Sequence, residues 1–234
     1  MLDLRAEMAA LWASLSGSTH GRARAIEFVA ARRGEGTSTI AREFARYAAR
    51  SVGCRTWLVD LDLMKQTQAD GFAAEASRTG ALGPAASATP DGSMFFSIRP
   101  PLTGPDGRPW PDARYLSAHA VGSGGLWVTR FRRDALRGRQ SVHVLPTADY
   151  WNALRRHADL VVVDAPSAER SRAGITVAPF MDEVVLVVAA EEADPGESAQ
   201  LRDDLAEAGA RCSGLFLNRV KIETPPFLRG GLAG

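Results

Sequence analysis

The chain has 234 residues, 45% of them hydrophobic and 24% charged, with a formal net charge of +1: enough apolar material for one large core, and too balanced a charge to point to nucleic acid or a membrane surface. Cys54 and Cys212 are isolated, outside any metal-ligand spacing, and read as buried free thiols of a reducing compartment. Asp3, Arg5 and Glu7 interrupt any leader-like segment, and no run approaches the ~20 apolar residues that span a bilayer, so the expected location is cytoplasmic, with any membrane link made through a partner.

Residues 2–15 place Leu4, Met8, Leu11, Trp12 and Leu15 on one helical face, and Ser16-Gly17-Ser18 ends that helix. Residues 24–30 read as a buried strand. They lead into Ala30–Thr39, whose glycines permit close backbone approach, and then into a helix over 38–51 with Ile40, Phe44, Tyr47 and Ala48 inward, closed by Val52-Gly53. A strand, a glycine turn and a helix start form the setting in which backbone N–H groups and the helix dipole hold a phosphate. The usual phosphate loop reads Gly-x-x-x-x-Gly-Lys-[Ser/Thr]. Here Gly36 and Ser38 are in register, while Ala31 stands at the first glycine and Thr37 at the lysine. Lys65 and Lys221 are the only lysines, and neither is near Thr37 in sequence.

Thr56–Asp62 is the next strand, apolar until its carboxylate end. Residues 66–140 form an irregular insertion, rich in Ala, Gly, Ser and Pro over 71–92, with Pro-Asp-Gly turns at 90–92 and 105–107 and short strands at Met94–Ile98 and Trp127–Phe131. Arg130, Arg132, Arg133, Arg137 and Arg139 make a basic cluster that reads as a solvated face or as a surface for an anion or partner. Regular order resumes with a strand at Ser141–Pro146, a short helix over 148–157 and the apolar strand Leu160–Asp164. A buried strand at Val184–Ala189, an acidic helix over 196–208 with Leu201 and Leu205 inward, Gly209 as its stop, and a last strand at Gly214–Asn218 complete the domain. Continuous apolar strands alternating with helices predict an α/β domain over 1–220, with a mostly parallel sheet covered by helices on both faces. The segment 221–234, with Pro225-Pro226 and Gly230-Gly231, reads as a flexible tail.

Parallel sheets bind ligands at the carboxyl ends of their strands. Four polar signals fall there: the loop Gly34-Glu35-Gly36-Thr37-Ser38-Thr39, then Asp60-Leu61-Asp62, Asp164-Ala165-Pro166 and Asn218-Arg219. A phosphate loop with carboxylates is what a Mg²⁺–nucleotide site requires. Ser38, Asp60 and Asp164 are the candidate metal ligands, and backbone N–H groups would take the phosphates of ATP or ADP.

These motifs resemble the bacterial tyrosine kinase family that works with polysaccharide co-polymerases, within the MinD/ParA-like deviant P-loop NTPases. The family's loop Pro-Gly-Glu-Gly-Lys-Ser-Thr is similar to Arg33–Thr39, its second Asp-x-Asp signature to Trp57–Asp62, and its Walker B pattern to Val161–Pro166. Its closing Gly-x-x-x-Asn-[Arg/Asn]-Val is similar to Gly214–Val220. The resemblance covers roughly 24–65 and 141–220. It implies a seven- or eight-stranded sheet, Asp60, Asp62 and Asp164 as catalytic carboxylates, and Asn218 and Arg219 at the base.

Two departures qualify it. Thr37 lacks the charge that neutralises the β- and γ-phosphates, leaving Arg32 or Arg33 to compensate, although arginine is a planar fork and no substitute point charge. The tail has no tyrosine, where the family carries a phosphorylated cluster; Tyr47, Tyr115 and Tyr150 read as packing residues. The resemblance therefore implies a pseudokinase-like regulatory partner in exopolysaccharide or capsule production, working with a Wzz-like membrane co-polymerase or other export proteins and leaving room for a homo-oligomer. The retained carboxylates favour an alternative, an active ATPase or tyrosine autokinase. A third reading, a ParA-like DNA-segregation ATPase using the arginine cluster, has the near-zero net charge against it.

Overall fold

The structure is a computed structural model and describes residues 3–15, 23–123, 125–191 and 194–220. In chain order the elements are α1 (Arg5–Leu15), β1 (Arg24–Val29), α2 (Thr37–Tyr47), β2 (Thr56–Asp60), α3 (Thr67–Ala74), α4 (Ala76–Thr79), β3 (Ala86–Ser87), β4 (Phe96–Arg99), β5 (Leu116–Ala120), β6 (Leu126–Phe131), β7 (Ser141–Val144), α5 (Asp149–Arg155), β8 (Leu160–Asp164), α6 (Ala173–Val177), β9 (Glu183–Ala189), α7 (Pro195–Glu207) and β10 (Cys212–Asn218). An eight-stranded sheet runs β10-β9-β1-β8-β2-β6-β5-β3. Every pairing from β10 to β6 is parallel, and β5 and β3 close the far edge antiparallel.

The central strands are apolar because both of their faces are covered. Side chains alternate across a strand, so Ile26 and Phe28 of β1, Leu58 of β2 and Val162 of β8 pack with Ile40 and Phe44 of α2 and Met8 of α1. Ala25, Val29, Val59, Val161 and Val163 face the other way, towards Trp151 of α5 and Leu201 and Leu205 of α7. The periodic inward faces expected for α2 and α7 are the buried ones, and Gly53 and Gly209 end their helical segments at positive φ.

Several boundaries differ from expectation. β2 stops at Asp60, so Asp62 lies in the turn after the strand, where the N–H groups of Lys65 and Gln66 bond the Asp62 carbonyl at 2.9 Å. The expected strand at Ser141–Pro146 is not in the main sheet: β7 pairs antiparallel with β4 as a separate two-stranded ribbon. Its alternating, half-exposed pattern suits a ribbon covered on one side. The expected insertion is largely drawn into the domain, because β6 pairs parallel with β2 and brings β5 and β3 with it. Cys54 and Cys212 are free, as expected, but partly exposed rather than buried. Tyr115 and Tyr150 are buried packing residues. The helix stop at 16–18 and the tail 221–234 lie outside the described residues.

Candidate functional site

The carboxyl ends of β1, β2 and β8 meet at one cleft of about 300 Å³ that includes Gly34, Gly36, Thr37, Ser38 and Asp164 in its wall. The loop after β1 reaches it through two glycines at positive φ, 88° at Gly34 and 95° at Gly36, and the Gly36 carbonyl accepts from the N–H groups of Thr39 and Ile40 at 2.9 and 3.0 Å as α2 begins. Glycine at 36 is also a matter of space: a β-carbon there would lie 2.1 Å from Asn218 Nδ2. Glu35 ties the loop down from within. Its carboxylate accepts from the Arg32 N–H at 2.8 Å and the Ala189 N–H at 3.4 Å, and its carbonyl accepts from Asn218 Nδ2 at 2.8 Å. Asn218, expected at a nucleotide base, is therefore a brace between β10 and the loop.

Asp60 and Asp164 are buried side by side at the ends of paired strands, in register with each other. Asp60 accepts from the N–H groups of Asp62 at 2.9 Å and Gln68 at 3.0 Å. Asp164 Oδ2 accepts from Gln68 Nε2 at 2.6 Å, and Asp164 Oδ1 is buried without a hydrogen-bond partner. Thr67 Oγ1 lies 3.3 Å from Ser38 Oγ and within 3.5 Å of both carboxylates, and Gln68 Nε2 also bonds the Ser38 carbonyl at 2.8 Å. Burial lifts both carboxyls. The neighbouring Asp164 charge lifts Asp60 further, well above the usual carboxylate range. Asp164 is pushed up to about 6 by burial, against the opposing hydrogen bonds of Gln68 and Ser38 and the charge of Arg42. Asp62 is separate from this pair and is held by Arg170 at 2.8 Å.

The paired carboxylates, the orphaned Asp164 oxygen and the Ser38 hydroxyl fit a hard divalent cation, with Thr67 and Gln68 already bonded to the same oxygens. Among the described residues no group of three or more His, Cys, Asp or Glu side chains could hold a metal, so any Mg²⁺ here would complete its shell with phosphate or water.

Of the residues expected at the site, Gly34, Gly36, Thr37, Ser38, Thr39, Asp62, Asp164 and Arg219 line the cleft, Asp60 lies just beneath it, and Glu35 and Asn218 act as braces. Arg32, expected to compensate for Thr37, pairs instead with Glu197 and lies 4.0 Å from Asp194, both at the start of α7. Sequence reasoning missed Lys65, Thr67, Gln68 and Arg170. The polar run Lys65-Gln66-Thr67-Gln68, two residues after Asp-x-Asp, was the available signal. The arginine cluster divides: Arg130 lies 3.7 Å from Asp70, and Arg133 donates to the Met64 carbonyl at 3.1 Å.

No protein-family model matches the chain, and no curated protein matches it. Solved structures do. The chimerical protein CapA2B2 superposes with a TM-score of 0.63 at 18% identity, over 93% of this chain and 85% of its own. The kinase domain of the Escherichia coli tyrosine kinase ETK gives 0.63 at 15%, over 94% and 78%. The septum site-determining protein MinD of Pyrococcus horikoshii, complexed with Mg-ADP, gives 0.52 at 15%, over 88% and 75%. The chain thus has the P-loop NTPase fold that bacterial tyrosine kinase domains share with MinD.

Proposed function

We propose that this chain, built on the fold of bacterial tyrosine kinase and MinD domains, is a pseudokinase-like regulatory protein that binds ATP or ADP with Mg²⁺ and transfers phosphate weakly or not at all. The observation that carries this reading is Thr37, a neutral side chain between Gly36 and Ser38 at the position of the phosphate loop's lysine. Backbone N–H groups of 34–39 would hold the phosphates, and Ser38, Asp164 and Asp60 would hold the cation. Bound Mg²⁺ would supply charge neutralisation at the phosphates. Phosphoryl transfer needs charge stabilisation and fixed positioning, and a threonine hydroxyl supplies no charge. Thr67 and Gln68 hold the carboxylates in hydrogen bonds that a catalytic arrangement would have to release.

The resemblance extends the reading to exopolysaccharide or capsule production, with a Wzz-like membrane co-polymerase or other export proteins as partner and the inner membrane face as the place of work. Among the described residues no helix is long and apolar enough to cross a membrane. An active ATPase or tyrosine autokinase is the second reading, favoured by the convergence of Asp60, Asp164 and Ser38 on Thr67 Oγ1. A ParA-like DNA-positioning role draws only on the arginine cluster and predicts salt-sensitive DNA retardation.

Phosphate release by the unmodified chain, Asp60→Ala and Thr37→Lys separates the first two. We expect background turnover from the first two proteins and a gain in Thr37→Lys. Clear turnover by the unmodified chain that collapses in Asp60→Ala supports the active enzyme instead.

A further inference from the structure

The cleft is richer in cations than its loop. Arg32, Arg33, Lys65, Arg170 and Arg219 all line it. Arg32 is committed to Glu197 and Arg170 to Asp62. The side chains of Arg33, Lys65 and Arg219 make no ion pair among the described residues. Arg33 precedes the glycine turn, where its N–H is held by Glu169, and Arg219 follows Asn218 at the end of β10.

Lys65 differs in where its segment is anchored. Two residues on, Thr67 Oγ1 lies 3.3 Å from Ser38 Oγ, and Gln68 bonds Ser38 and both buried carboxylates. On its other side the Met64 carbonyl accepts from Arg133. The turn is closed by the Lys65 N–H bonding the Asp62 carbonyl at 2.9 Å. Lys65 is thus an exposed ammonium, without an ion pair among the described residues, on a backbone fixed from both sides. Lys65 lines the same cleft as Ser38 and Asp164, the groups suited to the terminal phosphates and their cation.

We propose that Lys65 supplies from the loop after β2 the phosphate-neutralising charge that position 37 does not, so that the cleft binds nucleoside di- and triphosphates without a lysine in its phosphate loop. A lysine is a compact point charge on a flexible stem, which can follow a phosphate from a second loop as readily as from the first. The relocated charge accounts for binding and not for catalysis, since it comes from the loop after β2 and not from the phosphate loop that opens α2. The inference rests on the nucleotide reading above.

Calorimetric titration of ADP·Mg²⁺ into the unmodified chain, Lys65→Ala, Thr37→Lys and the double variant Thr37→Lys/Lys65→Ala tests it. Lys65 is exposed, so the variants should keep the parent's unfolding midpoint, which is measured beside the titration. Expected is a loss of about tenfold or more in Lys65→Ala, the scale of one charge-assisted phosphate contact, and recovery in the double variant. Binding by Lys65→Ala at the parent's affinity overturns the role of Lys65 and leaves the nucleotide reading intact. Loss in Lys65→Ala without recovery in the double variant overturns the replacement of position 37. No binding by the parent or by Thr37→Lys overturns the nucleotide reading, and Lys65 with it.

Discussion

Gln68 is fully buried and satisfied at each polar atom: its amide nitrogen donates to Ser38 and Asp164, its amide oxygen accepts from Arg42 Nε at 3.0 Å, and its N–H donates to Asp60. Removing it in Gln68→Ala takes from the buried Asp164 Oδ2 its short hydrogen bond and leaves only the longer one from Thr67, so the metal-free protein should lose about 1–3 kcal/mol. Because the freed oxygens suit a cation, added Mg²⁺ should raise the unfolding midpoint of the variant more than that of the parent. The same carboxylates set a pH dependence. A carboxyl lifted in the folded state stabilises below its unfolded value near 3.8 and loses that contribution as pH rises through the folded value, which for Asp164 is about 6. Ionising Asp164 without a cation therefore costs about 3 kcal/mol by pH 8. Glu27 acts in the same direction: burial alone raises it well above its ordinary value, and both its oxygens are buried and unpaired in the central strand β1. Thermal unfolding of the metal-free protein between pH 4 and pH 8 should fall with pH, the Asp164 part of the fall lying below about pH 6. The fall should be smaller in Asp164→Asn and in Glu27→Gln. Gly36→Ala should cost about 1–3 kcal/mol through its positive φ, and more through the clash with Asn218. Asn218→Ala in the same chain should recover only the clash, which a double-mutant cycle by urea unfolding reads directly.

At the scale of elements, legibility followed burial. β1, β2, β8 and β9 are covered on both faces, so each reads as an apolar run, and α2 and α7 carry one inward stripe apiece. Leu205→Ala should cost about 2–5 kcal/mol in urea unfolding. Leu217→Ser, on the exposed edge strand β10, should change stability by about 0.5 kcal/mol or less. α3 was not legible, because its sequence holds a glycine and no apolar stripe. The structure supplies the reason for Gly71: a β-carbon there would lie 2.4 Å from the Arg42 guanidinium, a contact made 29 residues away in sequence. β5 was hidden for a similar cause, since its Ser117 and His119 bond each other, and His119 also bonds the Gly83 carbonyl, across a sheet edge that only the fold creates. In the site, the residues on the loop and strand ends were readable because their spacing is local. Lys65, Thr67 and Gln68 were not, because their roles depend on a turn that folds back on Ser38.

For the molecule as a whole, parallel strands bring the loop, the carboxylate pair and Lys65 to one end of one sheet, with Thr37 at the position of the loop's lysine. On the proposed reading binding and transfer are separable: backbone N–H groups and a displaced cation would hold a nucleotide, whereas transfer needs charge placed against the reacting phosphate. The most direct measurement of that separation is to incubate the protein with millimolar ATP·Mg²⁺, isolate it rapidly, and chromatograph the nucleotide that travels with it. Bound ATP that remains intact after an hour is the result predicted here. Bound ADP accumulating with time, or no nucleotide on the protein at millimolar ATP, would contradict the account.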